Sequence, residues 1–148
     1  IEKYEKIIIG ASIRYGRHNP KVYEFIQNNK HILDRKKSAF FSVNVVARKS
    51  EKNTPDTNPY IRKFLKKSNW HPKKLGVFAG KIDYPKLGFV NKNVIRFIMF
   101  ITSGPTNINN TYEFTDWQRV KKFIREFDEI WNINKLITLD FQFFSKIH

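Results

Sequence analysis

Hydrophobic positions along this chain follow two alternating periods. Lys6–Ile9 is a short run that reads as a strand buried on both faces, as in a parallel sheet. From Pro20 to about Lys36, the residues Val22, Phe25, Ile26, Asn29, Ile32 and Leu33 recur at spacings of three and four, one stripe on a helix that Asn19-Pro20 would open. Ser38–Val46, rich in β-branched and aromatic residues, predicts a second strand, followed by a polar loop over 47–58. Pro59 then opens a helix carrying Tyr60, Ile61, Phe64 and Leu65, and Leu75–Ala79 predicts a third strand ending at Gly80. The capping-box pattern Thr115-Asp116-Trp117-Gln118 starts a last helix, with Trp117, Val120, Ile124, Phe127 and Trp131 as its buried face. This order predicts an α/β three-layer fold with the three strands parallel and adjacent, because short connections between such strands leave few other arrangements.

The stretch from about 81 to 112 is too long for an ordinary connection and reads as an insertion. Within it, Asn91–Thr102 is apolar on nearly all sides (Val94, Ile95, Phe97, Ile98, Met99, Phe100, Ile101), which periodicity alone leaves open between a core helix and a last strand. An apolar lid or membrane-surface patch is the sharper alternative, with Lys86, Lys92 and Arg96 beside it. One domain is expected over 1–131, with a tail over 132–148 that has no clear assignment.

The candidate site starts where the first apolar run breaks into Gly10-Ala11-Ser12-Ile13-Arg14-Tyr15-Gly16. A glycine-bracketed polar loop at the carboxyl end of a strand is where open α/β sheets hold ligands, and a hydroxyl, a fixed charge and an aromatic face suit a flat, polar-edged cofactor. By the same rule the loop 42–48 should face it across one cleft, with 80–84 closing the side.

Composition excludes several classes. With no cysteine and four scattered histidines, disulfides, thiolate chemistry and a metal site are not expected. The longest strongly apolar stretch, Val94–Ile101, is too short to span a bilayer, and the absent cysteines and signal peptide point to the cytoplasm. The formal net charge of +15 would suit nucleic acid, through Arg48, Lys49, Lys52, Arg62, Lys63, Lys66, Lys67, Lys73 and Lys74. Lysine, however, outnumbers arginine 20 to 8, and Lys, Ile, Asn and Phe, all with AT-rich codons, make up 66 of the 148 residues. Nucleic acid is therefore not the expected partner, and the charge suits anionic lipid or a carboxylate-bearing substrate better.

These same residues carry a resemblance over roughly Tyr4–Ile130. The segments GASIRYG, SVNVVARKSEKNTPDTN, NPYIRKFL, AGKIDYP and TDWQ, in this order, resemble the flavodoxin-like, menaquinone-dependent protoporphyrinogen IX dehydrogenases of bacterial haem synthesis. The resemblance implies a flavodoxin-like open parallel sheet, FMN as cofactor, and removal of six hydrogens from protoporphyrinogen IX for delivery to a membrane quinone. It places the flavin ring between Gly10, Ala11, Ser12, Ile13, Arg14, Tyr15 and Gly16 on one side and Ser42, Val43, Asn44, Val45, Val46, Ala47 and Arg48 on the other. Gly80 and Tyr84 close the site, Tyr15 stacks on the ring, and backbone N–H groups near Asn44–Ala47 meet its pyrimidine edge. Arg14, Arg17, Arg48 and Lys49 become candidates for the substrate's propionates. No proton-transferring residue is singled out. The family pattern is entered at its third strand, so the sheet is expected to be N-terminally incomplete and to lack the phosphate loop. The long insertion is what would separate such an enzyme, peripheral on the inner face of the membrane, from the two alternatives of an electron-carrying flavodoxin or an inactive fragment.

Overall fold

A computed structural model describes residues 1–129 and the backbone of a two-residue strand at 138–139. The chain runs β1 (Lys6–Arg14), β2 (Arg17–His18), α1 (Pro20–Arg35), β3 (Lys37–Val43), α2 (Pro59–Ser68), β4 (Lys74–Phe78), β5 (Lys81–Asp83), α3 (Phe89–Ile101), β6 (Thr111–Glu113), α4 (Trp117–Glu129) and β7 (Thr138–Leu139). β1, β3 and β4 are parallel and adjacent, as their patterning predicts, in register from Lys6↔Lys37 to Ser12↔Val43 and from Ala39↔Lys74 to Val43↔Phe78. On its other side β1 pairs with β2, antiparallel, and with β7, parallel.

Alternation along the central strands makes the three layers. Ile7 and Ile9 join Phe40 and Val77 in a core covered by Val22, Ile26 and Leu33 of α1 and Ile61 and Phe64 of α2. Ile8, Ala39 and Phe78 point the other way, onto Phe123 and Phe127 of α4. Successive side chains on a strand face opposite sides, so a run apolar at every position has to be covered twice. The caps are where the sequence puts them: Asn19 Oδ1 accepts from Lys21 N at 2.9 Å, and Asn58 Oδ1 accepts from Tyr60 N and Ile61 N at 3.1 and 3.4 Å. At α4 the cap is Asp116, whose Oδ1 accepts from Gln118 N and Arg119 N.

Several boundaries differ from expectation. β1 does not end at Ile9: backbone pairing to β3 carries it through Ser12, and pairing to β2 carries it to Arg14. The second strand stops at Val43, because Val45–Arg48 closes into a 3-10 turn. Trp117 is not on the buried face of α4 but exposed at its first turn. The helix phase is set by Phe123, whose ring packs edge-on against Phe78 at 5.7 Å. Trp131, expected on that face, lies outside the described residues, as does most of the tail over 132–148.

The insertion is a small unit of its own. β5 and β6 pair antiparallel, and α3 lies over them through Met99, which packs with Ile82 and Tyr84 in a separate apolar cluster. The ambiguous stretch is thus helical, and Met99, expected at an exposed apolar surface, is wholly buried. Around it Phe89, Val90, Phe97, Phe100 and Ile101 remain exposed.

Candidate functional site

The register of the parallel strands brings the carboxyl ends of β1, β3 and β4 to one edge of the sheet. Ser12 lies beside Val43, and Val43 beside Phe78. Gly80, two residues beyond β4 with φ +76°, sits so close that a Cβ there would meet Val43 Cγ1 at 2.7 Å. The three segments expected to share a ligand site therefore meet at this edge.

The first segment is shaped differently from the expected loop. Gly10, Ala11, Ser12, Ile13 and Arg14 are strand residues, and the turn is Tyr15-Gly16, with φ of +48° and +73°. Arg14 pairs with Arg17 across it, so this is a two-residue hairpin in which both central residues need positive φ. Gly16 supplies that conformation without strain, and a Cβ there would meet nothing. Gly10 serves packing instead, since its missing Cβ leaves room for the Phe41 ring. Ala11 is buried in the core, Ser12 and Ile13 are half-buried, and Arg14 and Arg17 are exposed side by side at the hairpin tip. Tyr15 is 78% exposed and its hydroxyl donates to Asn91 Oδ1 of α3 at 2.6 Å. A cavity of about 210 Å³ lies between the hairpin and the start of α1, lined among others by Ser12, Arg14, Tyr15, Arg17 and Pro20. Residues 42–48 do not line it.

The second segment is built on a buried polar chain. His18 Nε2 and Ser42 Oγ are hydrogen-bonded at 2.9 Å, Asn44 Nδ2 donates to Ser42 Oγ at 3.1 Å, and Asn58 Nδ2 donates to Asn44 Oδ1 at 3.1 Å. Asn58 Nδ2 also reaches Lys52 O at 2.8 Å, so one side chain caps α2 and holds the loop before it. Ser42 and Asn44 thus point inward. A 3-10 turn has no intrahelical acceptor for its first N–H groups, which here belong to Val45 and Val46. Both residues are half-buried, Ala47 is buried, and Lys49 is half-buried beyond the turn. Arg48 is turned onto α3: Nη2 donates to Thr102 O and Thr102 Oγ1, each at 2.7 Å, and Nη1 to Val45 O at 3.2 Å.

Tyr84 lies in the cluster against which Val45 packs. It is fully buried within the insertion, its hydroxyl donating to Pro105 O at 3.0 Å and its ring edge-on to Tyr112. Burial raises its pKa, with smaller opposed effects from Tyr112 and Arg96.

His18 is the member of this region that sequence reasoning missed. Burial between the edges of Phe40 and Phe64, with ring centroids 5.5 and 5.6 Å away, pulls its pKa from 6.5 to about 4. A neutral imidazole has one donor and one acceptor nitrogen, and these face the Tyr23 hydroxyl at 3.5 Å and Ser42. Its only signal in the sequence is its place between a tight turn and a helix cap, where a chain re-enters the core.

An exposed aromatic ring beside open space, and backbone donors on the neighbouring turn, suit a planar heteroaromatic group with a polar edge. This is the ligand class the fold serves: the chain belongs to the flavodoxin domain family, whose family model matches residues 1–109. Membership implies flavin binding. Its curated relatives are more particular: the protoporphyrinogen IX dehydrogenase (quinone) of Leishmania major is 44% identical over 124 residues, covering 84% of this chain and 54% of the relative. The protein of the same name from Escherichia coli K12 is 43% identical over 125 residues, covering 84% of this chain and 69% of the relative. The chain thus spans about half the length of the first and about two thirds of the second. No solved structure matches it. Among the described residues no group of side chains could hold a metal ion, and no helix is long and apolar enough to cross a membrane.

Proposed function

We propose that this chain is the greater part of an FMN-dependent enzyme that oxidises protoporphyrinogen IX to protoporphyrin IX, with a quinone as acceptor. The reading rests on the names of relatives 43–44% identical over 84% of the chain, joined to a sheet edge that fits a flavin ring. Six hydrogens leave the porphyrinogen in three two-electron steps, and each step converts one quinone to its quinol. FMN, when bound, would carry the electrons between the two, and the chain's residues position it.

Tyr15 presents its ring at the hairpin tip, and the N–H groups of Val45 and Val46, first in their 3-10 turn, would meet an acceptor edge where negative charge gathers on reduction. Arg14 and Arg17, paired across the hairpin, would bind the propionates of the substrate. Arg48 already directs three of its five donors to Val45 and Thr102, which makes it the weaker candidate for a carboxylate.

The exposed apolar face of α3 favours the enzyme over a water-soluble electron carrier. Phe89 is 83% and Phe100 73% exposed, and neither a soluble carrier nor a solvated helix has use for such residues together. On a membrane enzyme this face would lie in the headgroup region, with Lys92 and Arg96 near anionic lipid, which suits a protein peripheral on the cytoplasmic face.

The deciding experiment uses the full-length protein. FMN is expected to co-purify with it, and anaerobic incubation with protoporphyrinogen IX and a menaquinone should yield fluorescent protoporphyrin and three quinols for each. Bound FMN that passes electrons to quinone from a chemical reductant, yet leaves porphyrinogen untouched, would make it a carrier and overturn the reading.

A further inference from the structure

We infer that Asn91 and Thr102, at opposite ends of the insertion helix, are positioning residues that brace the two loops of the sheet edge. Tyr15 is held by Asn91 in the first turn of α3, across 76 residues of sequence. Arg48 is held by Thr102 just past the last turn, across 54 residues. The same guanidinium grips Val45 O, so the turn that bears the Val45 and Val46 N–H groups is tied directly to the helix end. The 13 residues of α3 make a rod about 20 Å long, so the two ties fix two separate points rather than one.

The first tie holds a group that little else restrains, whereas the second adds to a turn already packed through Ala47. Tyr15 sits on a hairpin turn with its side chain largely in solvent, and no other hydrogen bond of its hydroxyl is found among the described residues. Gly104 shows how closely the other end is fitted, because a Cβ there would stand 3.0 Å from Met99 Sδ and 3.1 Å from Arg48 Nη2. Beneath the helix, Met99 is locked against Ile82 and Tyr84, so the rod is itself anchored to β5 and the turn after it. A group held between a rigid helix and a sheet edge keeps its orientation, which an exposed ring alone does not.

This inference rests on the flavin-binding reading for its purpose and on the two ties for its existence, and the experiment separates them. In the full-length protein freed of flavin, amide hydrogen exchange across residues 14–17 should speed up in Asn91→Ala, and exchange across 45–48 should speed up in Arg48→Met, which removes both bonds to Thr102, and by less in Thr102→Val, which keeps the main-chain acceptor. Asn91→Asp, which keeps the acceptor oxygen, and Thr102→Ser, which keeps the hydroxyl, should exchange like the parent. In FMN titrations followed by flavin fluorescence, Asn91→Ala should weaken binding about threefold to tenfold, the range one neutral hydrogen bond spans. Tyr15→Phe should do the same, and the double variant should be no worse than either single one. Unchanged exchange in both Asn91→Ala and Arg48→Met overturns the brace whatever FMN does. Altered exchange with FMN affinity unmoved, or with additive losses, overturns its role toward the flavin. A full-length parent that takes no FMN overturns the functional reading, and the brace then stands or falls on exchange alone.

Discussion

His18 Nε2 lies 2.9 Å from Ser42 Oγ, joining the end of the short antiparallel strand β2 to the central strand β3 through two wholly buried side chains. Burial between Phe40 and Phe64 keeps the imidazole neutral near pH 7, with its pKa lowered from 6.5 to about 4. The contact ties the hairpin to the loop over 44–58, through Asn44 and Asn58.

A pH dependence of stability follows. The folded protein holds His18 at about 4 against 6.5 in the unfolded chain, so between those values the unfolded state binds the extra proton. Stability is full above pH 6.5, falls as pH drops, and levels off below pH 4, a loss of about 3 kcal/mol from this group. Urea midpoints measured from pH 4 to 7 should show that slope. In His18→Phe the part due to this group should vanish, although the variant is less stable at pH 7.

Lys6 presents a buried charge, 1% exposed, with its Nζ 2.7 Å from Asp128 Oδ1 of α4. Removing the carboxylate takes this ion pair away from a desolvated ammonium. Asp128→Ala should cost about 3 kcal/mol in urea unfolding, whereas Lys6→Met, which leaves a partly exposed carboxylate to water, should cost clearly less. Equal losses from both would show that the pair matters only for packing.

Gly10 tests how the strand before the site is packed. A Cβ there would run into the tip of the Phe41 ring, with Cε1 at 2.7 Å, and that ring is packed among Phe78 and Phe123. Gly10→Ala should therefore destabilise by about 1–3 kcal/mol through overpacking. Combining it with Phe41→Leu should recover part of the loss, measured by thermal unfolding.

The outer face of α3 gives the prediction closest to function. Replacing Phe97 and Phe100 together with Ser removes two exposed rings while leaving Met99 and the cluster beneath intact. In the full-length protein this change should weaken sedimentation with anionic vesicles at least tenfold, because each ring contributes about 1.5 kcal/mol or more when buried. Reduction of a membrane quinone should slow in parallel while FMN content stays the same. Vesicle binding that survives the change would remove the membrane role from this helix.

Local pattern fixed what depends on local physics. An apolar run between turn signals, stripes at three and four, and Asn-Pro helix starts were enough to place β1, β3, β4, α1 and α2 and to make those three strands parallel. They specify that a face must be covered, and a strand apolar on both faces has to be covered by two layers. The helix Phe89–Ile101 was beyond that logic, because a segment apolar all round has no phase.

What tertiary structure decided depends on partners far away in sequence. Gly10–Arg14 read as a loop because glycine, serine and arginine interrupt the apolar run, yet β3 and β2 supply backbone partners that keep it extended. Tyr84 and Arg48 looked equally available for a ligand, and long-range contacts buried the one and tied the other to Thr102. His18 looked like a stray histidine until the fold placed Ser42 beside it. Periodicity records which side of an element faces water, whereas a polar side chain's role depends on the atom that satisfies it, and only packing of distant segments brings that atom within 3 Å.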